Sequence, residues 1–165
     1  MTSRLVVAIR IAAPPARVFE VFTRDIALWW QPSSMFPFTP RAPGVLRFEG
    51  EAGGRLVEER AGGKLFEVGR ITAWEPPQEG EGRLVFGWRQ ATFAPDQNTE
   101  VTVRFEPLAS LTGAPQTRVT VEHRGWDSLP QSHLARHGWP LTLFQRRHAE
   151  WWQAGLASLR RTITP

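Results

Sequence analysis

The sequence contains no cysteine and no tyrosine, and Lys64 is its only lysine. The missing cysteine excludes disulfides and thiolate chemistry and suits a reducing compartment. Long apolar runs are missing too. Nothing approaches the roughly 20 consecutive apolar residues of a membrane-spanning helix. Arg4 and Arg10 interrupt the first residues, where the apolar core of a secretory signal would lie. The expectation is a cytoplasmic protein with no membrane insertion.

The scarcity of titratable groups also explains an isoelectric point of about 11.1. With arginine supplying nearly all the positive charge, little titrates between the histidines and the arginines. A net charge of only +4 therefore moves the isoelectric point far upward. No basic run exceeds a pair (Arg146–Arg147, Arg160–Arg161), whereas a nucleic-acid footprint needs a cluster or stripe. Nucleic acid is not an expected partner.

What is present reads as one domain over residues 1–165, a size natural for a single core. Leu5, Val7, Ile9 and Ile11 alternate with Val6, Ala8 and Arg10, the pattern of a half-buried strand. Pro14-Pro15 ends that strand and suits the first turn of a helix, which places Val18, Phe19 and Phe22 on one face. Asp25 is positioned to cap a second short helix running into Leu28, Trp29 and Trp30. Residues 31–44 are too rich in proline and glycine for regular structure, yet this loop carries Met35, Phe36 and Phe38.

Strands are predicted at 45–49, 55–60, 64–74, 83–90, 99–106 and 117–124, joined by turns such as Gly53-Gly54 and Gly62-Gly63. Short connections imply an antiparallel sheet. The period then changes. Leu141, Phe144, His148, Trp152, Leu156, Leu159 and Ile163 recur at three- and four-residue spacing after Pro140, which predicts one long amphipathic helix. The order is β-α-α-β6-α, an α+β arrangement in which a curved antiparallel sheet of about seven strands packs one face on the terminal helix. A sheet bent in this way commonly leaves a lumen. The terminal helix is too long and too apolar to be the outside appendage of a closed lipocalin-like barrel.

Several segments appear in an order known from one group of proteins. They are Ile11-Ala12-Ala13-Pro14 before Arg17-Val18-Phe19, then Trp29-Trp30, and Gly53-Gly54-Arg55 with Glu58. Gly69-Arg70-Ile71 leads to Trp74-Glu75-Pro76-Pro77, followed by Leu84-Val85-Phe86-Gly87-Trp88 and Val101-Thr102-Val103-Arg104-Phe105. The run from Thr117 to Trp126 and His137-Gly138-Trp139 complete the set. In these residues the chain resembles the SRPBCC (START/Bet v-like) superfamily, in the group named for the C-terminal domain of the heat-shock chaperone ATPase activator. The resemblance covers nearly the whole chain and implies a helix-grip (START-like) fold, often with a hydrophobic pocket. The superfamily spans lipid carriers, receptors, cyclases and chaperone regulators, so it does not imply one activity. The chaperone activator also carries a separate N-terminal chaperone-binding domain with no counterpart here, which weighs against a chaperone partner.

Strand alternation predicts which side chains face inward. Val119, Val121 and His123 share one face, as do Val101, Val103 and Phe105, then Leu84, Phe86 and Trp88, then Leu56 and Glu58. The strand at 64–74 admits two readings, with either Phe66, Val68, Arg70 and Trp74 or Glu67 and Ile71 aligned, and Gly69 marking a bulge. The expected ligand-contacting set is Trp30, Glu58, Phe66, Trp74, Phe86, Trp88, Val103, Val121 and His123, with Phe144, His148 and Trp152 from the terminal helix.

Glu58 and His123 are the polar candidates on that lining. They can anchor a ligand or serve as an acid–base pair, and the simpler assignment for both is structural. The tryptophans, Trp151 included, are either ligand walls or core. His133 and His137 have the spacing of two zinc ligands on a helix, but no H-E-x-x-H glutamate or third ligand accompanies them, so no metal is expected. The paired glycines precede no helix and are not phosphate loops. No cofactor and no nucleophile–base constellation is evident. The leading expectation is a non-catalytic domain binding a small hydrophobic or aromatic ligand. The alternatives are a cyclase- or hydrolase-like enzyme using His123 and Glu58, and a protein-interaction module using Met35, Phe36 and Phe38, a loop that also suits a homodimer contact.

Overall fold

A computed structural model describes residues 3–39 and 42–165. Strand β1 (Arg4–Ile11) is followed by helices α1 (Pro15–Arg24) and α2 (Ile26–Trp29). Six strands come next: β2 (Val45–Glu49), β3 (Arg55–Glu59), β4 (Leu65–Glu75), β5 (Gly82–Trp88), β6 (Thr99–Leu108) and β7 (Gln116–Arg124). Helix α3 (Leu141–Ile163) ends the chain. The strands form one antiparallel sheet in the order β1-β7-β6-β5-β4-β3-β2. This is the helix-grip arrangement expected from the sequence, in the expected order. No helix among the described residues is long and apolar enough to cross a membrane.

The registers turn the alternating residues into continuous rows. Leu5, His123, Val101, Phe86 and Ile71 are successive partners across β1, β7, β6, β5 and β4. The next row runs Val7, Val121, Val103, Leu84 and Trp74. A shift of one residue would turn these rows outward. Helix α3 covers the inner face with Phe144, His148, Trp152, Leu156 and Leu159, all buried. Each large apolar side chain among them contributes roughly 1.5–3 kcal/mol by leaving water. Helix α1 closes one end of the sheet, where Phe19 and Phe22 meet Phe105 edge-on at 5.1 and 5.6 Å.

The ambiguous strand follows neither reading throughout: Phe66, Val68 and Trp74 of the first and Ile71 of the second meet the core, while Arg70 is exposed and pairs with Glu67. The β3–β4 register shifts between Leu56 and Val57, and the β4–β5 register shifts between Ile71 and Ala73. The alternation therefore changes phase along β4, so that Phe66, Ile71 and Trp74 all pack against the core. Gly69 lies at the first shift as expected. A Cβ there would fall 1.8 Å from the Gly87 carbonyl oxygen, so only glycine lets β4 and β5 approach this closely.

Three local expectations are corrected. Asp25 precedes α2 but makes no side-chain cap bond. Pro107, expected in the following loop, lies inside β6 opposite Thr117. It is tolerated because β5 ends its pairing at Phe105, so β6 is an edge beyond that point. Phe36 and Phe38 were read as a surface patch with Met35. Both are buried at 3% and 4% exposure, and only Met35 stays open at 42%.

Candidate functional site

Residues 31–39 and 42–44 lie against β2 and β3 and border a partly open cavity of about 390 Å³. Its walls are Trp30, Phe36, Phe38 and Leu46, with Pro32, Pro37 and Pro43 at the loop and Glu58 on the sheet. Glu58 is placed inward by strand alternation and is 3% exposed. Its Oε1 accepts a 2.7 Å hydrogen bond from the Thr39 hydroxyl. Gly44 allows the chain to pass this carboxylate, because a Cβ there would meet the Glu59 carbonyl oxygen at 2.3 Å and the Glu58 side chain at 2.8 Å.

The loop is held from three sides. Ala91 N–H donates to the Phe38 carbonyl at 2.7 Å, and Gln31 Nε2 donates to the Ser158 hydroxyl on α3 at 3.2 Å. His137 Nε2 donates to the Met35 carbonyl. His133 uses Nε2 on the Thr92 carbonyl and Nδ1 on the Ala135 N–H. These two histidines therefore pin backbone, and no group of metal-ligating side chains occurs among the described residues.

Behind the loop lies a second polar constellation, enclosed in aromatic rings. His123 Nε2 is 2.9 Å from the Thr99 hydroxyl, which itself donates to the Trp88 carbonyl at 2.7 Å. Trp152 Nε1 donates to His123 Nδ1 at 3.2 Å. An indole can only donate, and the Thr99 proton is committed to a carbonyl, so His123 must carry its proton on Nε2. Both ring nitrogens are engaged. Burial, with the neighbouring His148 as a lesser cause, holds its pKa well below the ordinary imidazole value, which keeps the ring neutral.

His148 stands 4.9 Å from His123, between the rings of Trp126 at 5.1 Å and Phe36 at 4.6 Å, and lies parallel to Trp151. Burial lowers its pKa to about 3. Neither of its nitrogens makes a hydrogen bond, nor do the indole N–H groups of Trp88 and Trp126. Arg136, also buried, spends its two terminal nitrogens on the Leu129 and Trp139 carbonyls and sits 5.5 Å over Phe144. It ties down the segment after β7.

The residues read from the sequence thus fall into separate places. Trp30 and Glu58 line the cavity. Trp88, His123, Phe144, His148 and Trp152 pack together beside it and fill the space between sheet and α3. Val103 and Val121 lie under that packing in the sheet. Phe86 and Trp74 meet Phe48 at 5.4 and 6.0 Å, nearer the opposite end, and Phe66 is only half-buried. No hydrogen bond joins Glu58 to His123, and His123 is absent from the cavity wall.

Sequence reasoning missed Thr39, Thr99 and Trp126. A hydroxyl partner leaves no periodic trace. Trp126 follows Gly125, whose φ of 101° lets the chain reverse past Asn98 and swing the indole under α3. That turn glycine before a large aromatic was the available signal.

The outer face carries paired charge. Arg47 contacts Glu49 and Glu59, Arg55 contacts Glu49 and Glu67, and Arg83 contacts Glu75. Exposed pairs of this kind contribute little stability, but they break up any continuous basic stripe.

Comparison with known proteins bears on the whole of this architecture. A protein from Mesorhizobium loti has a similar structure, with a TM-score of 0.58 at 19% identity, covering 96% of this chain and 95% of its own. An anthrahydroquino-γ-pyrone synthase matches at 0.53 and 25% identity, over 96% and 95%. An HSP90 activator from Plasmodium falciparum matches at 0.56 and 17% identity, over 97% and 95%. Among curated proteins, none matches the chain in sequence. Residues 12–161 match the sequence pattern of the family described as Activator of Hsp90 ATPase homolog 1-like protein, and the chain belongs to that family.

Proposed function

We propose that the protein binds a flat, largely apolar small molecule in the cavity beneath loop 31–44 and does not transform it. The observation that carries this reading is the cavity itself. It is of ligand size, walled by Trp30, Phe36, Phe38 and Leu46, and marked by one polar pair, Thr39 and Glu58. Ligand pockets commonly combine apolar walls with a few fixed polar groups. The three aromatic side chains supply contact area at little entropic cost, and the carboxylate sets orientation.

An enzymatic reading finds less support. An acid–base mechanism needs both groups within reach of one substrate. Glu58 borders the cavity, whereas His123 is neutral with both nitrogens occupied. The relatives' names point in two directions, one a synthase and one a chaperone activator, and the burial of Phe36 and Phe38 removes most of the patch that a chaperone contact would use.

Titration with 2-ethylnaphthalene, followed by tryptophan fluorescence, tests the proposal. Saturable quenching at one site is expected, and it should be lost in Leu46→Trp, which fills the cavity. Absence of saturable quenching in the unaltered protein would reject the reading.

A further inference from the structure

The cavity and the buried constellation are separated only by aromatic rings. Phe36 lines the cavity on one side and lies 4.6 Å from His148 on the other. Phe38 likewise lines the cavity and lies 4.7 Å from Trp88. Behind these two rings Trp88 Nε1 and both nitrogens of His148 lack a hydrogen bond, and so does Trp126 Nε1 one ring deeper, beside His148 at 5.1 Å. All three residues are at most 1% exposed.

Buried polar groups are ordinarily paired, and leaving one unpaired costs about 1–3 kcal/mol. Nearby His123 shows that this core can satisfy an imidazole fully. Packing alone therefore does not account for the neighbouring orphans. Their chemistry is specific. The two indoles only donate, and a neutral imidazole adds one donor and one acceptor. The nearby cation, Arg136, holds two carbonyls with its terminal nitrogens, and its Nε is one further donor without a hydrogen bond. The set is complementary to an uncharged partner rich in acceptor oxygens, with one hydroxyl to give.

We propose that Phe36 and Phe38 form an aromatic gate, and that Trp88, Trp126 and His148 behind it receive the carbonyl and hydroxyl oxygens of a flat, neutral aromatic ligand. This rests on the cavity reading: the ligand body occupies the cavity, and its oxygenated end reaches past the displaced rings. Trp88 and Trp126 donate to the carbonyl, and the ligand hydroxyl donates to the unprotonated nitrogen of His148. Around the gate, Trp30, Trp151, Phe144 and His137 contact it through ring faces and edges.

Two probes of similar body separate the ideas: 1-(4-hydroxynaphthalen-2-yl)ethanone, whose hydroxyl is meta to the acetyl group and so free of an internal hydrogen bond, and 2-ethylnaphthalene, which carries neither oxygen. The unaltered protein should bind the hydroxyketone roughly tenfold more tightly, the value of about one well-made hydrogen bond. Trp88→Phe and His148→Phe should each erase that preference while leaving 2-ethylnaphthalene affinity within about twofold. The indole proton resonances of Trp88 and Trp126 in the unaltered protein supply a readout independent of the variants' folding. They should move downfield with the hydroxyketone and not with 2-ethylnaphthalene. Equal binding of the two probes, or unmoved indole resonances, overturns the gate while leaving the cavity reading intact. Failure of both probes to bind rejects the two together.

Discussion

Glu58 and His123 both face inward from the same sheet, yet their circumstances are opposite. Glu58 stands in the wall of a cavity, held at one oxygen by a threonine from a loop. His123 is enclosed by Trp88, Trp126 and Trp152, with a hydroxyl on one nitrogen and an indole on the other. One polar group is placed where a ligand can meet it, and the other completes the packing. Inward direction on a strand is therefore not enough to define a site. What decides is whether the opposing element fills the space, as α3 does over β7, or bridges it, as loop 31–44 does over β2 and β3.

The sharpest way to break the comparison is to remove the lid of the filled side. Trp152→Ala deletes a buried indole and strips His123 of a hydrogen bond, and should lower stability by about 3–5 kcal/mol. Urea unfolding measures this. A loss below about 1 kcal/mol would mean that the region is not close-packed.

Acid should act on the same side. His123 and His148 face each other at 4.9 Å, and their hydrogen-bonding partners include no carboxylate. Both have folded pKa values below the ordinary one, with His148 at about 3. The unfolded chain therefore takes up protons below about pH 6.5 that the folded chain refuses. Stability is full above that pH and falls as the pH drops towards 3. At pH 5 the loss should be about 2 kcal/mol for His148 relative to pH 7.5, with a further loss of the same sign from His123. His148→Phe should remove about 2 kcal/mol of the loss between these pH values. An unchanged slope would show that His148 is not the neutral buried group described.

Thr99→Val leaves the His123 Nε2–H without its acceptor and should cost about 1–3 kcal/mol. Leu46→Trp makes the contrast from the other side. Leu46 is itself buried beside the cavity, so the larger ring should cost no more than about 1–3 kcal/mol of stability. Yet it should weaken 2-ethylnaphthalene at least about tenfold, because the cavity is the binding volume. Calorimetric titration and thermal melting of the one variant separate these effects.

Much of this was readable beforehand. The strand rows through Val119, Val121 and His123, the α3 face from Phe144 to Leu159, and the two-helix insertion follow from period and proline placement, which are local properties. Glu58 was legible as inward for the same reason. The division between cavity and core was not legible, because it depends on where a proline-rich loop lies. No periodicity governs residues 31–44, so the burial of Phe36 and Phe38 and the approach of Thr39 to Glu58 arise only from tertiary contacts. Trp126 was hidden likewise, since its position follows from the reversal at Gly125 rather than from any repeat.

A crystal structure of the complex with 1-(4-hydroxynaphthalen-2-yl)ethanone would test the central claim most directly. The account predicts the naphthalene rings between Trp30, Phe38 and Leu46, beneath loop 31–44, with the His123–Trp152 and His123–Thr99 hydrogen bonds intact. A ligand that displaced Trp152 and bonded to His123, or one that left the cavity beside Glu58 empty, would contradict it.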